Sequence, residues 1–110
     1  MWFELNSPLD ADVLCMIQVY PVRDDKRPPI PVVTYLDGTG RLQAVSEADN
    51  GRYYRLIRRF YKRTGAPMVL ATSFNVNDPI VCTPRQALGC FVRTKLDVIL
   101  LDDLLKRRDA

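Results

Sequence analysis

The stretch that most limits the folds open to this chain is Pro67-Met-Val-Leu-Ala-Thr-Ser-Phe-Asn-Val76, an apolar run that ends abruptly in small polar side chains. Residues Pro67 to Ala71 are too few for a helix and are opened by a proline, so they read as a strand buried on both faces. Along an extended chain side chains alternate, which sends Ser73 and Asn75 to one side and Thr72 and Phe74 to the other. A hydroxyl and a carboxamide at the carboxyl end of a core strand make a neutral hydrogen-bonding pair. Open α/β sheets hold small ligands at that edge. The same two groups would equally serve to cap a strand and turn the chain.

The flanking pattern predicts a mixed sheet. Val13 to Tyr20 is a continuous apolar run rich in strand formers and stopped by Pro21,. Residues 1–10 read as a loosely held arm carrying Trp2 and Phe3. The segment Arg23 to Pro29 is a polar loop whose prolines forbid a helix and whose charges nearly cancel. Ile30 to Leu36 and Arg41 to Ser46 flank Asp37-Gly-Thr-Gly40, a hairpin signal in which the glycines supply left-handed backbone. That turn alone explains the glycines. The alternative is close approach of a ligand, with Arg41 meeting a phosphate or carboxylate.

Asn50 is the predicted cap of a helix that Gly65 ends. Tyr53, Leu56, Ile57 and Phe60 follow helical spacing as a buried stripe, and Arg52, Arg55, Arg58, Arg59, Lys62 and Arg63 occupy the rest of the surface. A solvated face accounts for these cations, and an acidic partner or an RNA backbone would also suit them. Thr83, Pro84 and Gln86 form a capping box for a second helix with Ala87, Leu88 and Phe91 inward. A brief strand at Ile80 to Cys82 and another at Leu96 to Leu101 suggest a crossover between parallel neighbours. Asp102 is read as the cap of a short terminal helix.

Several chemistries are excluded or disfavoured. With 110 residues the chain reads as one domain, 1–110, and its net charge of +3 is too small to imply nucleic acid without a clustered patch,. The chain has no histidine. This excludes Ser-His-Asp and Cys-His mechanisms within it, and nothing is positioned by sequence to make Ser73 a nucleophile. Cys15, Cys82 and Cys90 lack zinc spacing and fit buried free thiols, so no protein-bound metal is predicted and a cytoplasmic location is expected. No apolar run of membrane-spanning length exists, and the start lacks a signal-peptide pattern.

A specific resemblance rests on an ordered series of motifs. Ile30 to Gln43, the Asn50-Gly-Arg-Tyr-Tyr-Arg-Leu-Ile57 segment, Thr64-Gly-Ala-Pro67, Thr72-Ser-Phe-Asn75, Pro79-Ile-Val-Cys-Thr-Pro84 and Ala87-Leu88 occur in register. Together they resemble the C-terminal region of the NodU/CmcH-type carbamoyltransferases, across nearly the whole chain. The resemblance implies a YrdC-like α/β fold, a twisted mixed sheet flanked by helices, here as a truncated single domain. It also implies use of ATP, with or without magnesium, and of carbamoyl phosphate to form a carbamoyl-adenylate. A separate N-terminal domain of actin/sugar-kinase type then moves the carbamoyl group to an acceptor hydroxyl. The family's Thr-Ser-Phe-Asn element falls on Thr72, Ser73 and Asn75, which would contact nucleotide or carbamoyl phosphate. Its Asp-Gly-Thr-x-Arg-x-Gln element falls on Asp37, Gly38, Thr39, Arg41 and Gln43, with Arg41 the phosphate ligand.

The departures shape the expectation as much as the matches. The acceptor-transfer domain and a basic upstream segment are missing from the series, Tyr35 stands where the family usually has histidine, and the turn after Asn75 is short and lacks glycine. The chain is therefore expected to be the activation part of an O-carbamoyltransferase that needs a companion domain or a second copy. A noncatalytic ligand-binding or assembly module of the same fold is the alternative, and RNA binding through residues 50–64 the second. The nucleotide reading expects Arg41, Ser73 and Asn75 to converge on one pocket.

Overall fold

The computed structural model describes residues 1–5 and 11–109, which divide into two compact units, Met1–Leu70 and Ala71–Ala110. Both mix helix with small antiparallel sheets, the α/β composition expected from sequence. Residues 6–10 of the predicted arm lie outside the described residues.

In the first unit, helix α1 (Ala11–Leu14) is followed by strand β1 (Val19–Pro21). The predicted strand from Val13 to Tyr20 is thus mostly absent. Met16 adopts a positive φ of 57° that turns the chain between them. Only Val13 is fully buried, while Ile17 and Val19 are exposed. Strand β2 (Thr39–Arg41) pairs antiparallel with β1 in the register Val19↔Arg41, Tyr20↔Gly40, Pro21↔Thr39. The Asp37–Gly40 turn is real, but it delivers β2 to β1 rather than to residues 30–36. Those residues form a 3₁₀ turn at Pro31–Val33, because prolines at 28, 29 and 31 remove the donors a ladder needs,. A second 3₁₀ turn, Asp24–Lys26, occupies the predicted polar loop.

The amino-terminal residues are held, contrary to expectation. Phe3 is buried and bridges Val22, the Glu4 N–H donates to the Pro21 carbonyl at 2.9 Å, and the Arg23 N–H donates to the Trp2 carbonyl at 3.1 Å. Phe3, Val22 and Ile30 form the core, with Trp2, Tyr20, Val33, Leu42 and Met68 packed on it. Gly40 is required by this packing, since a Cβ there would stand 2.8 Å from the Val33 carbonyl oxygen and 3.1 Å from Phe3. The Lys26 ammonium sits 5.4 Å from the centre of the Trp2 ring,.

Helix α2 (Glu47–Thr64) begins three residues before the predicted cap. Ser46 caps it, accepting from the Asp49 N–H at 3.1 Å. Asn50 has non-helical backbone inside it (φ −147°, ψ 75°), and its side-chain oxygen accepts from the Tyr53 N–H at 3.2 Å. Asn50 therefore caps the longer segment across a kink, and the extra turn supplies the acids the sequence reading left out. Glu47 and Asp49 complement the helix dipole, and Glu47 lies 4.0 Å from the Arg55 guanidinium,. Gly65, at φ 77°, ends α2 as predicted.

Pro67 to Ala71, predicted as the central strand, has no ladder partner among the described residues. A core strand needs neighbours on both edges, and among the described residues none is laddered to Pro67 to Ala71,.

In the second unit, helix α3 (Pro84–Arg93) carries the predicted capping box in full. Thr83 accepts from the Gln86 N–H at 3.2 Å, and Gln86 accepts from the Thr83 N–H at 3.1 Å and the Cys82 N–H at 2.8 Å. Its buried residues are Ala87, Cys90 and Phe91, whereas Leu88 faces outward. Ala87, Phe91 and Ile99 form the core, joined by Phe74, Val81 and Leu101. Strands β3 (Val98–Leu101) and β4 (Leu104–Arg107) make an antiparallel hairpin in place of the predicted terminal helix and parallel crossover. Asp102 turns it with a φ of 52°. Arg108 closes the unit. Its guanidinium donates to the Phe91, Thr94 and Leu96 carbonyls at and beyond the carboxyl end of α3, and it stacks 5.2 Å from the Phe91 ring. These carbonyls are the acceptors a helix end leaves unsatisfied.

Candidate functional site

The predicted site residues fall in both units. In the first, Tyr35, Asp37, Gly38 and Thr39 form one tight turn. The Tyr35 carbonyl accepts from the Gly38 N–H at 2.9 Å, and the Tyr35 N–H donates to the Thr39 carbonyl at 2.7 Å. Asp37 accepts from both the Thr39 N–H, at 2.9 Å, and the Thr39 hydroxyl, at 2.7 Å. Those two donors hold the Asp37 carboxyl below its ordinary range, aided by the Arg27 charge,. Gly38 has φ 81°, the left-handed backbone this turn demands,.

Arg41 follows on β2, exposed and on the face opposite buried Gly40. Gln43 does not join the turn, since its amide donates to the Leu14 carbonyl at 3.1 Å. The organising residue here is one the sequence reading assigned to a solvated loop. Arg27 donates from Nε to the Val22 carbonyl at 3.1 Å and pairs with Asp24 at 2.9 Å, bringing its guanidinium against Gly38. The nearby prolines suggested a loop, and nothing local signals a contact made eleven residues later.

In the second unit, Thr72, Ser73 and Asn75 are exposed while Phe74 is tucked towards the core. The alternation of Ser73, Phe74 and Asn75 survives without a sheet. The Asn75 amide donates to the Asp78 carbonyl at 2.7 Å, so one of its functions is to close its own turn. The residue in the left-handed region of that turn is Asn77, at φ 53°. Asparagine tolerates this conformation best after glycine, which explains how the turn does without one.

Asn75 also lines an open groove of about 870 Å³ between this turn and α3. Asp78, Arg85, Gln86 and Arg93 supply its other polar walls, and Ile80 and Leu88 part of its apolar floor. Arg93 is engaged with Asp78 at 3.0 Å. Arg85 makes no hydrogen bond or ion pair among the described residues and sits in the first turn of α3, where no acid stands. A cation there opposes the helix dipole, and a bound anion would relieve that. This is the signal by which sequence alone could have singled out Arg85. The size and lining suit a small ligand with an anionic part.

The chain has no histidine to serve Ser73 as a base,. The cysteines are free. Cys90 is buried, and Cys15 and Cys82 are exposed rather than buried as expected. Among the described residues no three acids or cysteines cluster to hold a metal. No helix of the structure is long and apolar enough to cross a membrane.

Comparison with known proteins adds a family. Residues 1–108 match the family described as carbamoyltransferase C-terminus. The nodulation protein NolNO of Sinorhizobium fredii is 46% identical over 94 residues, covering 84% of this chain and 14% of that protein. The nodulation protein NolO of Bradyrhizobium diazoefficiens is 41% identical over 91 residues, covering 82% and 17%. The uncharacterized protein sll1178 of Synechocystis sp. is 40% identical over 85 residues, covering 76% and 14%. The chain thus spans about a sixth or less of the length of these relatives.

Proposed function

This chain belongs to the carbamoyltransferase C-terminus family, and from that premise we propose that it holds ATP and carbamoyl phosphate for carbamoyl-adenylate formation, together with a companion polypeptide. In this reading carbamoyl phosphate is cleaved by water to carbamate and inorganic phosphate. A carbamate oxygen then attacks the α-phosphorus of ATP and pyrophosphate leaves. In the second unit Arg85 neutralises phosphate charge, and Thr72, Ser73 and Asn75 offer neutral hydrogen bonds to the nucleotide or the carbamoyl group. In the first unit the Asp37–Thr39 turn presents Arg41 as a further phosphate-neutralising cation. Catalysis of this kind rests on positioning and charge neutralisation and requires no nucleophile from the chain. Magnesium would enter on the nucleotide's phosphates.

The observation that carries the reading is the groove that joins Asn75, a residue of the family's Thr-Ser-Phe-Asn element, to the uncompensated Arg85. The test is carbamoyl-phosphate-dependent exchange of labelled pyrophosphate into ATP, with the chain alone and with its companion. Exchange lost in Ser73→Ala and Asn75→Ala supports the reading. No exchange in either case removes it.

A noncatalytic module is favoured by one observation, the use of the Asn75 amide to close its own turn. Ligand binding without exchange, unaffected by Ser73→Ala, would select it. RNA binding rests on the basic face of α2 and would require steeply salt-dependent affinity.

A further inference from the structure

The groove in the second unit has a second guanidinium, Arg93, and it is engaged. Its Nη2 donates to Asp78 Oδ2 at 3.0 Å, reaching from the last turn of α3 to the turn that Asn75 closes. Both residues line the groove, so the pair links its two walls. Among the described residues this is the one hydrogen bond made by a fork that carries five N–H groups,.

The pair is weakly held and nothing else depends on it. Its side chains are 62% and 52% exposed, and ion pairs that water reaches this freely add little to a fold,. A cation in the last turn of α3 already suits the helix dipole, unlike Arg85 in the first,. The turn has no need of the carboxylate either, because Asn75 is held by the Asp78 carbonyl, at 2.7 Å, and not by its side chain. What the carboxylate does is occupy a phosphate-binding group with an anion from the chain itself. Carboxylate and phosphate oxygens take the same guanidinium fork, and a phosphate brings more charge to it. Arg85 and Arg93 lie in the first and last turns of α3, about 12 Å apart along its axis, a span for a chain of phosphates rather than for one.

We propose that Arg93 is a second phosphate ligand of the groove and that Asp78 holds it in reserve, giving way when a polyphosphate chain enters. The inference rests on the reading that the groove takes a phosphorylated ligand, and it names the contact exchanged on entry. Once the guanidinium turns to phosphate, the Asp78 carboxylate goes to water while its carbonyl keeps Asn75. Asp78 thereby sets a threshold, since an entering anion must displace a carboxylate. Phosphate chains do so and a simple carboxylate such as acetate does not.

The probe is inorganic tripolyphosphate, which lacks the nucleoside, titrated calorimetrically into the full 110-residue chain at low salt. Asp78→Asn keeps the carbonyl and removes the charge, and should tighten binding about fivefold, the upper worth of an exposed pair. Arg93→Ala should weaken binding about twofold with Asp78 in place and about tenfold in the Asp78→Asn chain, where the guanidinium is free to make its whole contact. In the Arg93→Ala chain the substitution at 78 should change nothing. That coupling is the mark of competition for one side chain. Arg93→Lys keeps the charge without the fork and should show a smaller gain from Asp78→Asn. Melting temperatures of the variants should stay close to the parent's. An equal gain from Asp78→Asn with Arg93 absent would mean that the carboxylate acts through net charge alone, and overturns the proposal. So does a large fall in the melting temperature of Asp78→Asn, which would make the pair a structural tie. Binding that Arg85→Ala weakens and Asp78→Asn leaves alone keeps the groove reading and removes the exchange. No binding by any of the chains removes both.

Discussion

The guanidinium of Arg27 lies so close to Gly38 that a Cβ on the glycine would stand 2.5 Å from Arg27 Cζ. The contact ties the 3₁₀ turn at Asp24–Lys26 to the turn that presents Thr39 and Arg41. A side chain at 38 would have to push this movable guanidinium aside and, more costly, adopt left-handed backbone at φ 81°,. Gly38→Ala is expected to destabilise the chain by about 1–3 kcal/mol, from the left-handed backbone and the displaced guanidinium together. A double-mutant cycle with Arg27→Ala in urea should return only part of that loss, because the backbone cost stays.

The same turn makes a prediction about acid. The folded carboxyl of Asp37 is held below its ordinary value by the Thr39 donors. A lowered folded value means stability that is present above the unfolded value and is lost as pH falls through the folded one. Melting temperature should therefore drop through the acid range more steeply in the parent than in Asp37→Asn. Equal slopes would mean that the Thr39 donors do not distinguish the two charge states.

Arg108 is expected to matter more than an exposed terminal arginine usually does. Its fork gathers three carbonyls at and beyond the carboxyl end of α3. Arg108→Ala should cost about 1–2 kcal/mol by denaturant titration, since charged donors to carbonyls at a helix end are worth that much. Arg108→Lys should recover only part of it, because an ammonium cannot span the three acceptors as a planar fork does.

In the groove, Arg85 and Asn75 should separate binding from folding. Arg85 has no described partner, so Arg85→Ala should leave the melting temperature unchanged and weaken nucleotide binding about tenfold, the value of one lost charge-assisted contact. Asn75→Ala should lower both, by about 1 kcal/mol in stability, because the same amide closes the turn to Asp78. Calorimetric titration with ATP alongside thermal melting distinguishes the two patterns.

What could be read from sequence follows from how local each signal is. The Thr83, Pro84 and Gln86 box is complete within four residues and appears as expected. Gly65 and Asn50 also act as read, although Ser46 adds a turn because serine and asparagine both offer a cap. Apolar runs misled where burial depended on partners outside the run. Val13 to Gln18 and Pro67 to Ala71 have the composition of core strands but have no ladder neighbours among the described residues, and only Val19 and Tyr20 of the first run pair. Leu104 to Arg107 reads as a helix end by its charges, yet Asp102 accepts the positive φ that lets it fold back on β3. Of the candidate site, the Asp37–Thr39 turn and the outward-facing Ser73 and Asn75 were legible. Arg27 was not, because it takes its meaning from a contact eleven residues away that spacing does not encode, whereas Arg85 carried a signal in the acid-free first turn of α3 that went unused.

Uptake of the two phosphorylated ligands by the chain is the central claim to test. Thermal shift of the full chain with ATP, with carbamoyl phosphate and with both is the measurement. A ligand at about 100 times its dissociation constant adds roughly 2.7 kcal/mol to stability. The predicted result is a rise in melting temperature with ATP, larger with both ligands and reduced in Arg85→Ala. A flat response to every combination, with the parent chain folded, would contradict it.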